Sequence, residues 1–224
     1  MTTASIAETD KALEVFIPVG SVALAGELIA PVRATGVVLF AHGSGSSRHS
    51  PRNQFVAQII REAGVGTLLF DLLTPQEEAV DAQTGHLRFD IPFLARRLVT
   101  ATEWLSAQGR TRNPAVGYFG ASTGGGAALV AAAEIGERVG AVVLRGGRPD
   151  LAGAALPFVT APTLLIVGGR DYPVIEMNRE ALARLRCEKK LEIVPGATHL
   201  FEEPGTLEEV ARLAATWFAK YLST

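Results

Sequence analysis

The segment Gly120-Ala-Ser122-Thr-Gly124 is where the chain most clearly offers chemistry. A serine hydroxyl is a poor nucleophile alone. It becomes a good one when a base within hydrogen-bond reach takes its proton and an acid holds that base in place. The apolar run Ala115-Val-Gly-Tyr-Phe119 precedes the serine, and alanine-rich residues 125–135 follow it. The pattern G-x-S-x-G therefore falls between a predicted strand and a predicted helix, the setting of a nucleophile elbow. Such a turn strains the serine backbone and requires small residues two positions to either side. It lifts the hydroxyl to the carboxyl edge of the sheet, above a helix N-terminus whose unpaired N–H groups favour developing negative charge.

The matching base and acid should follow in the chain order serine, acid, histidine. Downstream of Ser122 there is one histidine, His199, in Gly196-Ala-Thr-His199-Leu-Phe just past the last predicted strand. Asp171 stands in Gly168-Gly-Arg-Asp171-Tyr-Pro, at the carboxyl end of the preceding strand. Asp150, one strand earlier, competes for the same role. Asp171 is preferred because its loop belongs to the strand beside the histidine-bearing one, whereas Asp150 has Arg148 nearby to pair with. A second oxyanion donor is expected from His42-Gly-Ser-Gly-Ser-Ser-Arg48-His49-Ser50. Gly43 and Gly45 would let the Ser44 N–H turn inward beside the Thr123 N–H. His42 and His49 are read as loop-bracing residues, and His86 as an ordinary loop residue.

These loops need a scaffold, and the hydropathy pattern supplies one. Gly36-Val-Val-Leu-Phe-Ala41, Gly66-Thr-Leu-Leu-Phe70, Ala115–119, Ala141-Val-Val-Leu144, Thr163-Leu-Leu-Ile-Val167 and residues 190–194 read as strands, most of them apolar throughout. Helical periodicity fills residues 53–63, 89–108, 125–135, 174–185 and 207–221, with Val210, Leu213, Trp217 and Tyr221 on one face of the last. Continuously apolar strands alternating with helices specify a mostly parallel central sheet covered on both faces. Residues 13–17 and 21–30 read as an antiparallel edge pair joined across Pro18-Val-Gly20. No composition break divides the chain, so residues 1–224 are expected to form a single domain. About twenty residues separate Val143 from Pro162, too few for a large cap domain, and the cleft is expected to be open and shallow.

Composition narrows the function classes. With 21 Lys and Arg against 23 Asp and Glu, and no basic run, nucleic acid is a poor partner. Gly43-Ser-Gly45 opens like a dinucleotide fingerprint, but Arg48 fills the third glycine position. No phosphate loop of the G-x-x-x-x-G-K-S/T type occurs. Four scattered histidines and one cysteine, Cys187, give no metal-ligand spacing and no intramolecular disulfide. The N-terminus lacks the basic start and apolar run of a leader, and no apolar stretch approaches the ~20 residues of a membrane span. A cytoplasmic protein without membrane contact is expected, and its oligomeric state carries no sequence signal.

Taken together, His42-Gly-Ser-Gly45, Gly120-Ala-Ser-Thr-Gly124, Gly169-Arg-Asp171 and Ala197-Thr-His199 resemble the α/β-hydrolase superfamily, close to its dienelactone-hydrolase-like branch. The resemblance runs from about Leu13 to Tyr221. Where dienelactone hydrolases proper carry a cysteine nucleophile, this chain has Ser122. The resemblance implies hydrolysis of a carboxylic ester, thioester or lactone through an acyl-enzyme, on a small-molecule acyl substrate, without metal or organic cofactor. Acyl transfer by the same triad and a binding protein with a vestigial triad are the alternatives.

Overall fold

The computed structural model describes residues 9–108 and 115–223. Residues 1–8, on which most of the leader reading rests, lie outside this set. Eight strands form one sheet in the order β1-β2-β4-β3-β5-β6-β7-β8. The edge pair is β1 (Thr9–Val19) and β2 (Val22–Ala30), antiparallel to each other, with β2 also antiparallel to β4 (Gly66–Phe70). Parallel pairing links β4, β3 (Gly36–Ala41), β5 (Ala115–Ala121), β6 (Val139–Arg145), β7 (Thr163–Gly168) and β8 (Lys189–Val194). The expected mostly parallel α/β-hydrolase sheet is thus present, without a large cap.

Strand alternation divides the core into two layers. Val37, Leu39, Tyr118, Val142 and Leu165 face the layer of α3 (Ile91–Gln108) and α4 (Thr123–Ile135). Their neighbours Val38, Phe40, Phe119, Val143 and Ile166 face α1 (Pro51–Glu62) and α6 (Thr206–Tyr221). Phe218 and Ile60 are fully buried there, each contributing about 1.5–3 kcal/mol by removal from water. The fifth flanking helix, α5 (Tyr172–Arg184), lies between β7 and β8.

Several bounds differ from the expectations. The first turn lies at Gly20-Ser21, because β1 continues through Pro18, which the edge position tolerates. Helix α1 begins at Pro51 rather than residue 53, with the Ser50 side chain accepting from the Asn53 N–H and proline at the first helical position. A helix unread in the sequence, α2 (Pro75–Thr84), follows β4. Its polar composition hides it from periodicity. Its start, however, carries a full capping box, Thr74 and Glu77 each accepting from the other's backbone N–H.

Candidate active site

All the predicted site residues stand at the carboxyl edge of the sheet. Ser122 follows β5 directly, and its backbone has φ 49° and ψ −123°, a region that residues with a Cβ avoid. The strain is enforced from outside. A Cβ on Gly124 would collide with the Ala41 carbonyl and come within 2.6 Å of the His42 carbonyl. Only glycine therefore lets α4 seat against the end of β3. The Ser122 carbonyl accepts from the N–H groups of Gly125 and Arg148, both at 3.0 Å, pinning the turn on its far side.

Asp171 and His199 occupy adjacent loops that are locked by main-chain contacts. Gly169 N–H donates to the Val194 carbonyl at 2.8 Å and Arg170 N–H to the Ala197 carbonyl at 2.9 Å. Gly168 allows this approach, since a Cβ there would fall 2.6 Å from the Ala197 carbonyl. Within that frame His199 Nδ1 meets Asp171 Oδ2 at 2.6 Å. A carboxylate can only accept, so Nδ1 carries the proton, and in the neutral ring Nε2 has a free lone pair. Asp150 is instead engaged by Arg148 through two bonds, Nε to Oδ1 at 2.8 Å and Nη2 to Oδ2 at 2.7 Å. The geometry brings Asp171, and not Asp150, to the ring.

Ser122 and His199 line one cleft of about 850 Å³, together with His42, the 43–47 loop, Arg52, Arg145, Leu200 and part of the 78–88 segment. In this resting arrangement the Ser122 hydroxyl makes no hydrogen bond to the ring. Catalytic hydrogen bonds are commonly loose before substrate arrives. Residues of α2 and of the 3₁₀ turn Leu87–Phe89 wall one side of the cleft. That wall is tied down by Arg97, which donates to Glu77 at 2.6 and 2.7 Å, and by buried Asp81, which accepts from Arg88 Nε at 2.5 Å.

The two expected oxyanion donors are neighbours, but they are not equally free. Ser44 N–H donates to the Thr123 hydroxyl at 3.0 Å. The Thr123 N–H sits in the first turn of α4, where no intrahelical acceptor exists. His42 braces the site as expected: Leu72 N–H donates to its Nε2 at 3.0 Å, and its Nδ1 stands 3.0 Å from the Gly43 carbonyl. Burial pushes its pKa below the ordinary 6.5, outweighing the Gly43 carbonyl. His49 and His86 are exposed loop residues. Sequence reading passed over Arg145, a buried cation in the cleft wall; the signal was a charged residue ending an apolar strand.

With this geometry in view, the comparisons are specific. The dienelactone hydrolase family model matches residues 24–223, and the chain belongs to that family. A crystal structure of dienelactone hydrolase from Anabaena variabilis is 62% identical with a TM-score of 0.92, over 94% of this chain and 98% of that one. Est1E from Butyrivibrio proteoclasticus shares the fold, with a TM-score of 0.77 at 16% identity over 94% of this chain and 99% of that one. A chain of Mycobacterium tuberculosis provisionally named phosphoribosyl transferase is 58% identical over 209 residues, 93% of this chain. The present chain spans about half that relative's length, 46%. Among the described residues no helix is long and apolar enough to cross a membrane.

Proposed function

We propose that this chain is a serine hydrolase that cleaves a carboxylic ester, thioester or lactone through an acyl-enzyme. The observation that carries the reading is the strained Ser122 beneath an Asp171-oriented His199 in one cleft. Ser122 Oγ attacks the acyl carbonyl while His199 Nε2 takes its proton. The carbonyl oxygen becomes an oxyanion held by the Thr123 N–H and by the Ser44 N–H, which exchanges the Thr123 hydroxyl for the stronger acceptor. Collapse expels the alcohol, thiol or ring oxygen, protonated by His199. Water, deprotonated by the same nitrogen, then releases the acid and restores Ser122. Asp171 holds the imidazole in its tautomer and stabilises its charged form.

Family membership and the esterase fold neighbours support hydrolase chemistry. The transferase name belongs to mycobacterial chains more than half of which lies outside the match, so the reading here rests on this chain's own residues. A small-molecule acyl substrate and a cytoplasmic setting belong to the same proposal, supported by the balanced charge and single cysteine. The test is covalent labelling with a fluorophosphonate. Ser122 should take the label in the wild type and Ser122→Ala should not, with turnover of a chromogenic ester falling about 10⁶-fold, the scale known for a serine protease triad. A folded wild-type protein that resists the label removes the proposal.

A further inference from the structure

The segment from Arg145, the last residue of β6, to Arg148 touches the nucleophile and the base at once. The Arg145 carbonyl faces the Ser122 N–H at 3.4 Å, and the Arg148 N–H donates to the Ser122 carbonyl at 3.0 Å. Both main-chain polar groups of the strained serine are thus met by one short loop. Gly146, between them, lies against the base. A Cβ there would stand 3.4 Å from both Nδ1 and Cε1 of the His199 ring, and 3.2 Å from the His199 carbonyl. The Gly146 N–H donates to the Ile166 carbonyl at 2.8 Å, which ties the turn to β7. Gly147 packs on the first turn of α4, where a Cβ on Gly125 would come 3.1 Å from its Cα.

One buried side chain holds this segment from outside. Asn178, fully buried in α5, donates from Nδ2 to the Gly147 carbonyl at 3.0 Å and to the Val174 carbonyl at 2.8 Å. Chemistry fixes its orientation, since the flipped amide would set Oδ1 against two carbonyl oxygens. Oδ1 is itself buried without a partner among the described residues. A buried amide that leaves its acceptor unmatched is a poor source of stability. The position uses its two donors. The helix matters as much as the bond. Asp171 caps the start of α5, and its carbonyl accepts from the Ile175 N–H at 2.9 Å. About two helical turns separate Asp171 from Asn178, so one rigid helix carries both.

We propose that Asn178 is a positioning residue for the triad. It couples α5, which carries Asp171, to the segment that backs the His199 ring and brackets Ser122. The inference rests on the hydrolase reading of Ser122 and adds a residue to its support. Without the Nδ2 bond the segment can withdraw from the ring. His199 then gains room to tilt, loosening both its bond to Asp171 and its approach to Ser122. Asn178 is not among the residues that line the cleft, so the loss falls on the chemical step rather than on binding.

Asn178→Ala removes both donors without altering the cleft lining. With a p-nitrophenyl ester, kcat should fall about 100-fold, the scale of a displacement near 1 Å, while KM stays within about twofold. Fluorophosphonate labelling of Ser122 should slow by the same factor. Thr102→Val is the control for destabilisation alone. It removes a buried hydrogen bond between α3 and the Tyr118 hydroxyl of β5, and should lower the urea midpoint while leaving kcat unchanged. Full kcat in folded Asn178→Ala, or an equal loss in Thr102→Val, overturns the assignment. Should Asn178→Ala fail to fold, Gly146→Ala reads the same segment, keeping the Asn178 bonds and adding a methyl beside the ring. Again kcat should fall with KM held, and full kcat overturns the proposal. If the wild type cleaves no ester and takes no fluorophosphonate, the hydrolase reading has failed instead. Proton NMR then judges the coupling by itself, because the His199 Nδ1–H held by Asp171 gives a downfield signal. Broadening of that signal in Asn178→Ala, or in Gly146→Ala, supports the coupling, and an unchanged line overturns it.

Discussion

The two flanks of Ser122 are built by different means. On the β7–β8 side, the loops bearing Asp171 and His199 are joined by backbone bonds from Gly169 and Arg170. On the α2 side, the wall of the cleft hangs on side-chain ion pairs, Arg97 with Glu77 and Arg88 with Asp81. Backbone locking fixes a position to fractions of an ångström and survives most side-chain changes. Ion pairs hold a segment by a few long, replaceable arms. The first construction suits proton transfer, where geometry is everything. The second suits a surface that contacts substrates of differing shape.

Asp171→Asn tests the rigid side most severely. The loops keep their bonds, but an amide N–H facing the ring favours the wrong imidazole tautomer, and kcat should drop about 10⁴-fold, as in the serine protease case. Asp150→Asn, which only loosens a surface pair with Arg148, should cost less than about 1 kcal/mol of stability and little activity. Equal losses in both variants, measured by ester turnover, would erase the distinction drawn between them.

Gly124→Ala probes the same side through volume. The added methyl has no room beside the Ala41 and His42 carbonyls, and overpacking of this kind costs about 1–3 kcal/mol or more. Urea denaturation should show that loss together with reduced fluorophosphonate labelling. Full stability and full labelling would mean that the elbow is far softer than its contacts suggest.

Glu77→Gln probes the wall. It leaves the guanidinium of Arg97, itself buried, with the Leu72 carbonyl and a weaker amide partner, at a cost of about 1–3 kcal/mol. KM for a bulky ester should rise while the labelling rate of Ser122 changes little; the reverse pattern would show the wall to be coupled to the chemistry. Burial raises the Glu77 pKa, but the bonds from Arg97 and the Thr74 N–H outweigh it and hold the group below its ordinary value. Its contribution to stability is therefore present above the unfolded carboxylate range and lost as pH falls through the folded pKa. Glu77→Gln should flatten the acid limb of the stability profile.

His42 gives the smallest effect. Its pKa is depressed in the fold, so unfolding takes up a proton below about pH 6.5. Stability should decline as pH falls from there toward the folded value, and His42→Gln should remove that decline while lowering stability at neutral pH. A wild-type profile flat through this range would contradict the buried, neutral ring.

Much of this was legible in the residues. The apolar runs of β3, β4 and β7 name themselves, because a strand buried on both faces carries almost no polar residues, Thr67 and Thr163 being the exceptions here. Ser122 was legible because only one kind of turn needs glycines two positions to either side of a serine. Asp171 was harder: sequence order allowed Asp150, and the choice turned on which loop lies beside the histidine. Helix α2 was invisible to hydropathy, since the residue it buries is the charged Asp81.

What the sequence determined by itself was the succession of strands and of the helices other than α2, and the loop positions of Ser122 and His199, since periodicity and loop position are local properties. The tertiary structure decided everything that depends on convergence. It set Asp171 rather than Asp150 against the imidazole and gave the Ser44 N–H to the Thr123 hydroxyl. It also buried Arg145 in the cleft wall with no carboxylate paired to it among the described residues. Residues nearly a hundred positions apart meet only after the sheet has formed, and no local pattern records which charges will then stand unmatched.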